Sequence, residues 1–585
     1  MRTYLKSIFL ILLSSAVFAQ TVDKIEVTGN KVFSQNNFSD WAKVSKGSKV
    51  FPAFVDSVKK RITQNLILNG YYNSDLEGTS LIEVDTQKVN LIIRINEGEP
   101  TYVRNIFVSG IGSEDSARFY QNFGFLKGQV FLKSDLEEDI SEVLDYYENN
   151  GYPFAKVKIN SVNFNKDSID NKYYADIFIS IDTGKISRIN KVEIQGNTKT
   201  KDYVLVRDAR IEEGSLYSQK VVEEIPERLN RLRFFDPVEV PSFYFNSRNE
   251  GVLLINVKEK ETNNFDGIIG YIPGNQQDQK GYITGLVNVS FRNLFGTGRA
   301  AAFKWQRIDR YSQELELKYL EPWILNLPFN INAGFYQLIQ DTSYVQRKFE
   351  GSVEFLATED LSAAVTLATE SVIPTESNYS IFTVYNSSAL TTGLNVKIDT
   401  RSDFYSPTSG IYFLNSYSFS QKKINGPEKY LTATVERNVN LQRFSVDFQF
   451  YHEIFRRQVA MLGVHGREMR GSFFEISDLY KLGGTNTLRG YRENQFLGNR
   501  LLWSNLEYRF LLAKRTFTFL FFDSGYYLRN ADMNNNIPEA SAIKLGYGLG
   551  LNIETSLGVL SVSYALAKGD SFSDGKIHFG LINEF

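Results

Sequence analysis

Hydrophobic and polar positions follow two different rhythms along this chain, one in each half. In the first half, Val22-Asp-Lys-Ile25-Glu-Val27-Thr-Gly29 alternates as a half-buried strand does, and the glycine ends it in a turn. The pattern returns as Val103-Arg-Asn-Ile106-Phe-Val108-Ser-Gly110 and again as Ile189-Asn-Lys-Val192-Glu-Ile194-Gln-Gly196. The copies stand roughly 80 to 90 residues apart, the size of a small domain. Helical spacing follows each strand. Val55, Val58, Ile62 and Leu66 share one face of a helix that Gly70 stops. Leu136, Ile140, Val143, Leu144 and Tyr147 line another, with Ser134 and Glu137 predicting a capping box and Gly151 ending it. The third copy is less regular, because Pro226 interrupts the run Val221 to Leu232 and Arg233 stands where the others carry glycine. Each copy closes with strands, such as Val89 to Ile95 and Val252 to Val257.

From about Glu261 onward the alternation continues without helical segments. Phe444, Val446, Phe448 and Phe450 share one face, and Ser445, Asp447 and Gln449 the other. Leu502, Ser504, Leu506, Tyr508 and Phe510 likewise oppose Trp503, Asn505, Glu507 and Arg509. A transmembrane strand needs about 9 to 11 residues, apolar toward lipid and polar toward the lumen, and the remaining length holds about sixteen of them. A soluble β-sandwich shows the same alternation. The last segment, with Phe579, Leu581 and a terminal Phe585, has the aromatic ending usual in the final strand of an outer-membrane barrel. The predicted fold is a series of α+β repeats followed by an all-β transmembrane barrel of about 16 antiparallel strands.

Composition sharpens this picture. The 45 Phe and 33 Tyr against 4 Met favour pleated surfaces. The 65 basic and 67 acidic side chains nearly cancel, so no strong field points to nucleic acid. Without cysteine, disulfides and thiolate metal sites are excluded. At the start, Arg2 and Lys6 flank an apolar run from Ile8 to Leu13, continued by Ala16, Val17 and Phe18, and Val17 with Ala19 suits signal peptidase. The run is shorter than the roughly 20 residues of a spanning helix, so residues 1–19 are expected to be a cleaved signal peptide. An exported chain with no later spanning helix is either soluble or a β-barrel.

Catalysis has little to work with. His452, His465 and His578 lie far apart, with no His-Glu-x-x-His or Gly-x-Ser-x-Gly motif. Gly546-Tyr-Gly548-Leu-Gly550 is similar to a dinucleotide loop but precedes no helix. Asp135, Glu137, Glu138 and Asp139 occupy a first helical turn, where carboxylates complement the macrodipole. No catalytic, cofactor or metal residue is therefore expected, and the chain does not read as an enzyme.

Strand, helices and two strands, three times over, resembles the polypeptide-transport-associated (POTRA) domain, and Glu97 to Pro100 and Thr183 to Lys185 are similar to that family's linkers. The second half resembles the BamA/TamA superfamily of outer-membrane insertases and translocators. The motifs in family order are Asn293 to Gly298, Glu321-Pro322-Trp323, Asp399 to Asp403 with Pro407 to Gly410, Leu482 to Thr485 with Leu488 to Tyr491, and Phe522 to Gly525. Gly546 to Gly558 resembles the penultimate strands. The resemblance implies a signal peptide at 1–19, POTRA-like domains at 20–99, 100–183 and 184–260, and a barrel at 261–585.

It also implies a functional loop. Leu488, Arg489, Gly490 and Tyr491 form the tip of the sixth extracellular loop, folded into the lumen. Arg489 pairs there with Asp523, two residues before Gly525, while Tyr491 packs beside the tip and Glu507 joins by its alternation. The implied protein lies in the outer membrane of a Gram-negative-type cell, with its POTRA arm in the periplasm. It would act as a TamA-like assembly factor, since three POTRA units suit that branch, receiving clients by β-augmentation and templating insertion at the seam between first and last barrel strands. Its partners would be the lipid bilayer, unfolded outer-membrane or secreted proteins, and a periplasm-spanning inner-membrane protein, with no nucleic acid and no cofactor. The alternatives are a two-partner secretion translocator and a lipid-export component.

Overall fold

The computed structural model describes residues 20–582 apart from 113–126, 274–280, 308, 341–342, 376–383, 432–434, 532–536 and 556–557. The predicted signal segment and Phe585 lie outside the described residues. Two compact units are present, 1–193 with 212–224 and 240–254, and 194–211 with 225–239 and 255–585.

The first unit is built from small three-stranded sheets of one design. Strand Lys88–Asn96 lies at the centre, parallel to Thr21–Thr28 and antiparallel to Asp75–Glu83. Tyr173–Asp182 holds the same place between Thr101–Ser109 and Lys156–Lys166. A third sheet repeats the order with Gly251–Asn256 between Lys191–Gln195 and Ser242–Phe245. In the first two repeats a helix covers the sheet. Phe54, Val58, Ile62 and Leu66 of helix Phe54–Leu68 are buried with Val89, Leu91, Ile93 and Ile95. Burying each such side chain stabilises the fold by about 1.5–3 kcal/mol. Val55, expected on this face, is only half-buried, and Phe54 takes its place.

A glycine closes the first strand of every repeat. Gly29, Gly110 and Gly196 have φ of 90°, 89° and 92°. A Cβ on them would lie 2.0, 2.2 and 1.9 Å from the carbonyl oxygens of Ile95, Ile181 and Val257. The turn needs both a left-handed residue and a bare one.

Two helical expectations are corrected. The helix predicted to start with a capping box at Ser134 spans Lys133–Asn149 and has Leu132 at its N-cap, with no side-chain bond there. Ser134 is already inside the first turn, and its hydroxyl donates to Asp135 at 2.9 Å. A capping box forms instead between Ser34 and Asn37, ahead of helix Gln35–Ala42. Pro226 does not interrupt its helix either, which runs from Gln219 to Leu232. Proline removes the donor that would reach the carbonyl four residues back and crowds that carbonyl with its ring, but the buried face of Val222, Ile225 and Leu229 carries the helix across. Arg233 then adopts φ 60°, the left-handed turn that Gly70 (87°) and Gly151 (95°) make in their repeats.

The joints between repeats share one hydrogen-bond pattern. Gly70 O accepts from Thr101 N at 2.9 Å, and Gly151 O accepts from Ser187 N at 2.7 Å. Thr101 O then accepts from Phe131 N at 2.7 Å, and Ser187 O from Tyr217 N at 3.0 Å. Tyr72 stacks on Phe131 and Phe164 at 5.3 and 4.7 Å.

The second unit holds a 16-stranded antiparallel sheet whose strands follow chain order from Asn264–Ile272 to Lys576–Ile582. Its two faces differ as a membrane barrel requires. Leu502, Leu506 and Leu520 are 55%, 52% and 60% exposed, whereas Asp523 on the other face is fully buried. Among the described residues no ladder joins the first strand to the last. No described helix is long and apolar enough to cross a membrane.

Candidate functional site

The site is set by two neighbouring strands. Arg500–Ala513 turns Trp503, Asn505, Glu507 and Arg509 inward, and Thr516–Arg529 turns Phe517, Phe519, Phe521, Asp523 and Gly525 inward. Their register places Asn505 opposite Asp523 and Glu507 opposite Phe521.

Against this wall lies the tip of the loop between the short strands Tyr480–Leu482 and Phe496–Gly498. Arg489 donates from Nε and Nη2 to the two Asp523 oxygens at 2.8 and 2.7 Å, and its backbone N–H donates to Asp523 at 3.0 Å. Its Nη1 donates to Glu507 at 2.7 Å, and the other Glu507 oxygen accepts from Arg509 at 2.8 Å. Asn505 bridges Asp523 (2.8 Å) to the Thr487 carbonyl (2.9 Å). Two guanidinium groups thus meet two carboxylates, each within hydrogen-bond reach of its partner. Charge-assisted pairs of this kind compensate the loss of water that an isolated buried ion could not survive. The Phe521 ring lies 3.7 Å from the Arg489 Cζ, adding a π face to the cation's cage.

Room for the loop comes from the facing strand Ala540–Thr555. A Cβ on Gly546 would lie 1.9 Å from the Arg489 carbonyl oxygen. On Gly548 and Gly550 it would meet the rings of Phe521 and Phe519 at 2.8 and 2.3 Å. The glycine triplet therefore serves as a cleared stripe of wall.

Leu488, Arg489, Gly490, Tyr491, Glu507, Asp523 and Gly525 all converge at this loop tip. Leu488 is buried against Leu482, and Gly525 lets it approach. Gly490 has φ 92°, and its N–H donates to His578 Nε2 at 3.0 Å. The Tyr491 hydroxyl donates to the Leu545 carbonyl at 3.1 Å. Phe579 stands apart, 67% exposed on the outer face of the last strand, and Leu581 pairs in the ladder with Leu560. Sequence reasoning missed His578, Phe519 and Phe521 as members of the site; the alternation that turned Glu507 inward also turns Asn505 and Arg509 inward. Among the described residues no group of three or more His, Asp or Glu side chains is placed to hold a metal ion.

A second contact lies in the same unit, where helix Asp202–Ala209 meets the turns of the barrel sheet. Asn293 donates to the Thr200 hydroxyl at 2.8 Å, Lys201 N to Gly296 O at 2.9 Å, and Arg207 to Thr297 O at 3.1 Å. The Trp323 indole donates to Asp208 at 2.9 Å. The loop leading into that helix is tied by Glu259, which accepts from the backbone of Thr198, Lys199 and Thr200 at 3.0, 2.9 and 2.6 Å. Burial opposes the Glu259 charge, but these donors with the threonine side chains outweigh it and hold the carboxyl down at about 2. Glu97 ties the matching loop of the first repeat, accepting from the backbone of Lys31, Val32 and Phe33 at 2.9, 2.7 and 3.1 Å.

Comparison with known proteins places these features. The Omp85 superfamily domain matches residues 293–585, and the POTRA surface antigen variable number repeat matches residues 20–98, 101–184 and 187–260. The outer membrane protein assembly factor BamA of Nitratidesulfovibrio vulgaris is 23% identical over 77% of this chain and 57% of its own length. BamA of Neisseria meningitidis serogroup B is 24% identical over 52% of this chain and 38% of its own. The chain thus spans about half the length of these relatives, or less. Among solved structures, BamA from Haemophilus ducreyi lacking POTRA domains 1-3 has a TM-score of 0.49 at 17% identity, covering 82% of this chain and 98% of that one. CdiB from Escherichia coli also gives 0.49, at 14% identity, covering 91% and 98%.

Proposed function

The chain belongs to the Omp85 superfamily, and from that premise we propose that it is an outer-membrane assembly factor of TamA-like kind, helping to insert or translocate client proteins. Three POTRA repeats support the TamA-like assignment. Their sheets offer a way to hold clients: strands Asp75–Glu83 and Lys156–Lys166 pair on one side only among the described residues, leaving an edge that an extended segment can extend. The barrel sheet offers a second template at its unjoined ends. Hydrogen bonds and burial supply the driving force, so no nucleotide, cofactor or catalytic group is required. Clients would be unfolded outer-membrane or secreted proteins, and a periplasm-spanning inner-membrane partner would complete the route.

The observation that carries this reading is the bond from the Gly490 N–H to His578 on the sheet's last strand. It ties the loop tip that Arg489 anchors to the edge where a client strand would pair. Loop position and edge position are thereby coupled. Depleting the protein and quantifying heat-modifiable barrel proteins in the outer membrane tests the reading. Selective loss of folded barrels with periplasmic precursors is expected. Intact barrels with a missing secreted protein would turn the reading to two-partner secretion, and altered outer-leaflet lipid alone would turn it to lipid export. Arg489→Ala is expected to lower this activity without abolishing the protein's own export; wild-type activity in that variant would count against the loop's role.

A further inference from the structure

A second set of buried charges holds the same loop, away from its tip. Between strand Gln458–Arg470 and the short strand Tyr480–Leu482 the chain makes a tight turn. Asp478 N donates to the Glu475 carbonyl at 2.9 Å, and Glu475 N donates to the Asp478 carboxylate at 3.0 Å. Lys422 reaches into this turn from strand Gly410–Gly426, donating to Glu475 at 2.5 Å and to Asp478 at 2.7 Å. Arg443 of the neighbouring strand Asn438–Phe455 lies 3.5 Å from the other Asp478 oxygen and donates to Ser420 at 2.9 Å. The other Glu475 oxygen accepts from the backbone of Tyr385 at 2.6 Å. Two cations thus meet two carboxylates, and the side chains of Lys422, Glu475 and Asp478 are only 3–5% exposed.

This cluster bears on a different stretch of wall from the tip. The tip rests on Arg500–Ala513 and Thr516–Arg529, the cluster on Gly410–Gly426 and Asn438–Phe455, and strand Gln458–Arg470 lies between the two pairs in the sheet. A packed path nevertheless joins them. Tyr385, Ile424, Val439, Leu441 and Met469 form a buried apolar group beside the charges, with Tyr480 packed against it. Tyr480 also packs against the group of Leu482, Leu488 and Tyr491 at the tip. Gly484 N then donates to the Leu488 carbonyl at 3.0 Å, one residue before Arg489. Packed chains of this kind carry coupling between distant groups.

We propose that the cluster is a second anchor that positions the loop tip, with Lys422 and Arg443 acting through Glu475 and Asp478 to set where Arg489 stands. A buried ion pair is costly to leave half made, so it admits one placement of the turn and rejects its neighbours. Held at two stretches of wall, the loop braces the lumen instead of hanging from its tip. The effect on assembly rests on the reading proposed above, whereas the anchoring itself is tested independently of it.

The chain has no cysteine, so a single introduced one reports on a single place. Full-length protein in dodecyl maltoside is spin-labelled at Arg492→Cys, exposed beside the tip, or at Ile476→Cys, exposed on the turn. In Lys422→Met both spectra are expected to shift toward the mobile component, although Arg489 and Asp523 are untouched. Lys422→Arg, which keeps the charge, is expected to restore the tip spectrum. Lys422→Met combined with Arg489→Ala should mobilise the tip by more than the two single changes added together. Heat-modifiable migration shows which variants are folded, and Glu475→Gln, which keeps the shape of the turn, replaces Lys422→Met if that variant is not. A folded variant that loosens Ile476→Cys but leaves Arg492→Cys unchanged overturns the proposal and makes the cluster a local clamp. A double variant no more mobile at the tip than Arg489→Ala overturns it as well. A loosened tip with undiminished assembly of barrel proteins would uphold the anchor and count instead against the loop's part in assembly.

Discussion

Two charged networks of the barrel-containing unit are buried to different depths. In the lumen, Arg489 and Arg509 meet Asp523 and Glu507, two against two, with Asn505 filling a remaining acceptor position. Beside the third repeat's helix, Glu359 is shared by Arg210 and Arg228 while Arg231 meets Glu227 and Asp360, and these pairs stand partly open to water. A buried network fixes a shape, because moving Arg489 or Glu507 leaves a buried charge short of a partner. Pairs open to water are screened instead, and each contributes little on its own. The first is thus suited to holding the loop, whereas the second tolerates the loss of a member.

The most damaging way to break the lumen network is to remove its central acceptor. Asp523→Ala strands Arg489 in a buried place and is expected to cost about 3–5 kcal/mol. Limited proteolysis should then cut near Leu488 to Tyr491, and unchanged protection there would mean that the loop is held by something else. Adding bulk to the cleared stripe comes next. Gly546→Ala puts a methyl group where the Arg489 carbonyl lies, and an overpacked site of this kind costs about 1–3 kcal/mol. The temperature at which the folded barrel loses its fast electrophoretic form should drop, whereas Gly466→Ala, with nothing within 4 Å of its Cβ, should leave it unchanged.

A milder change sharpens the comparison at the helix contact. Glu259→Gln weakens charge-assisted bonds and is expected to cost about 1.5 kcal/mol. The folded carboxyl sits at about 2, below the usual value of about 4.3. Its contribution is therefore fully present above pH of about 4.3 and is lost as pH falls through about 2. Hydrogen-exchange protection of the Thr198 to Thr200 amides should fall over that window in the native protein and show no such step in the glutamine variant. The smallest effect is expected for His578→Ala, which removes one acceptor and costs about 1 kcal/mol. A His578→Ala protein whose loop tip is more labile than that of Asp523→Ala would reverse the ranking and make the edge strand the main anchor.

Much of this arrangement was legible from the chain, for a physical reason. Alternation is a local property, so the inward turn of Glu507 and Arg509 could be read from the residues beside them. Arg489 and Asp523 came together only through motif resemblance, since nothing local says where a loop tip folds. His578 was not legible, because it lies 88 residues from its partner Gly490 and looks like any other wall residue. The Gly546 stripe was visible as glycines, but its purpose depends on the rings of Phe519 and Phe521 from the neighbouring strand. Helix ends were the least readable. Ser134 and Glu137 have capping-box spacing, yet the helix starts at Lys133, one residue before that serine. Pro226 carries a strong local penalty that the packing of its helix overrides.

The repeated joint has a mechanical consequence. The same helix-end glycine carbonyl receives the first strand of the next repeat at Gly70 and at Gly151, and that strand in turn receives the segment ahead of the next helix. Load applied to one repeat therefore passes through backbone hydrogen bonds in series, beside the Tyr72 stack at the first joint. A pull on the first sheet is thus handed to the second along the main chain itself, through the Gly70 carbonyl.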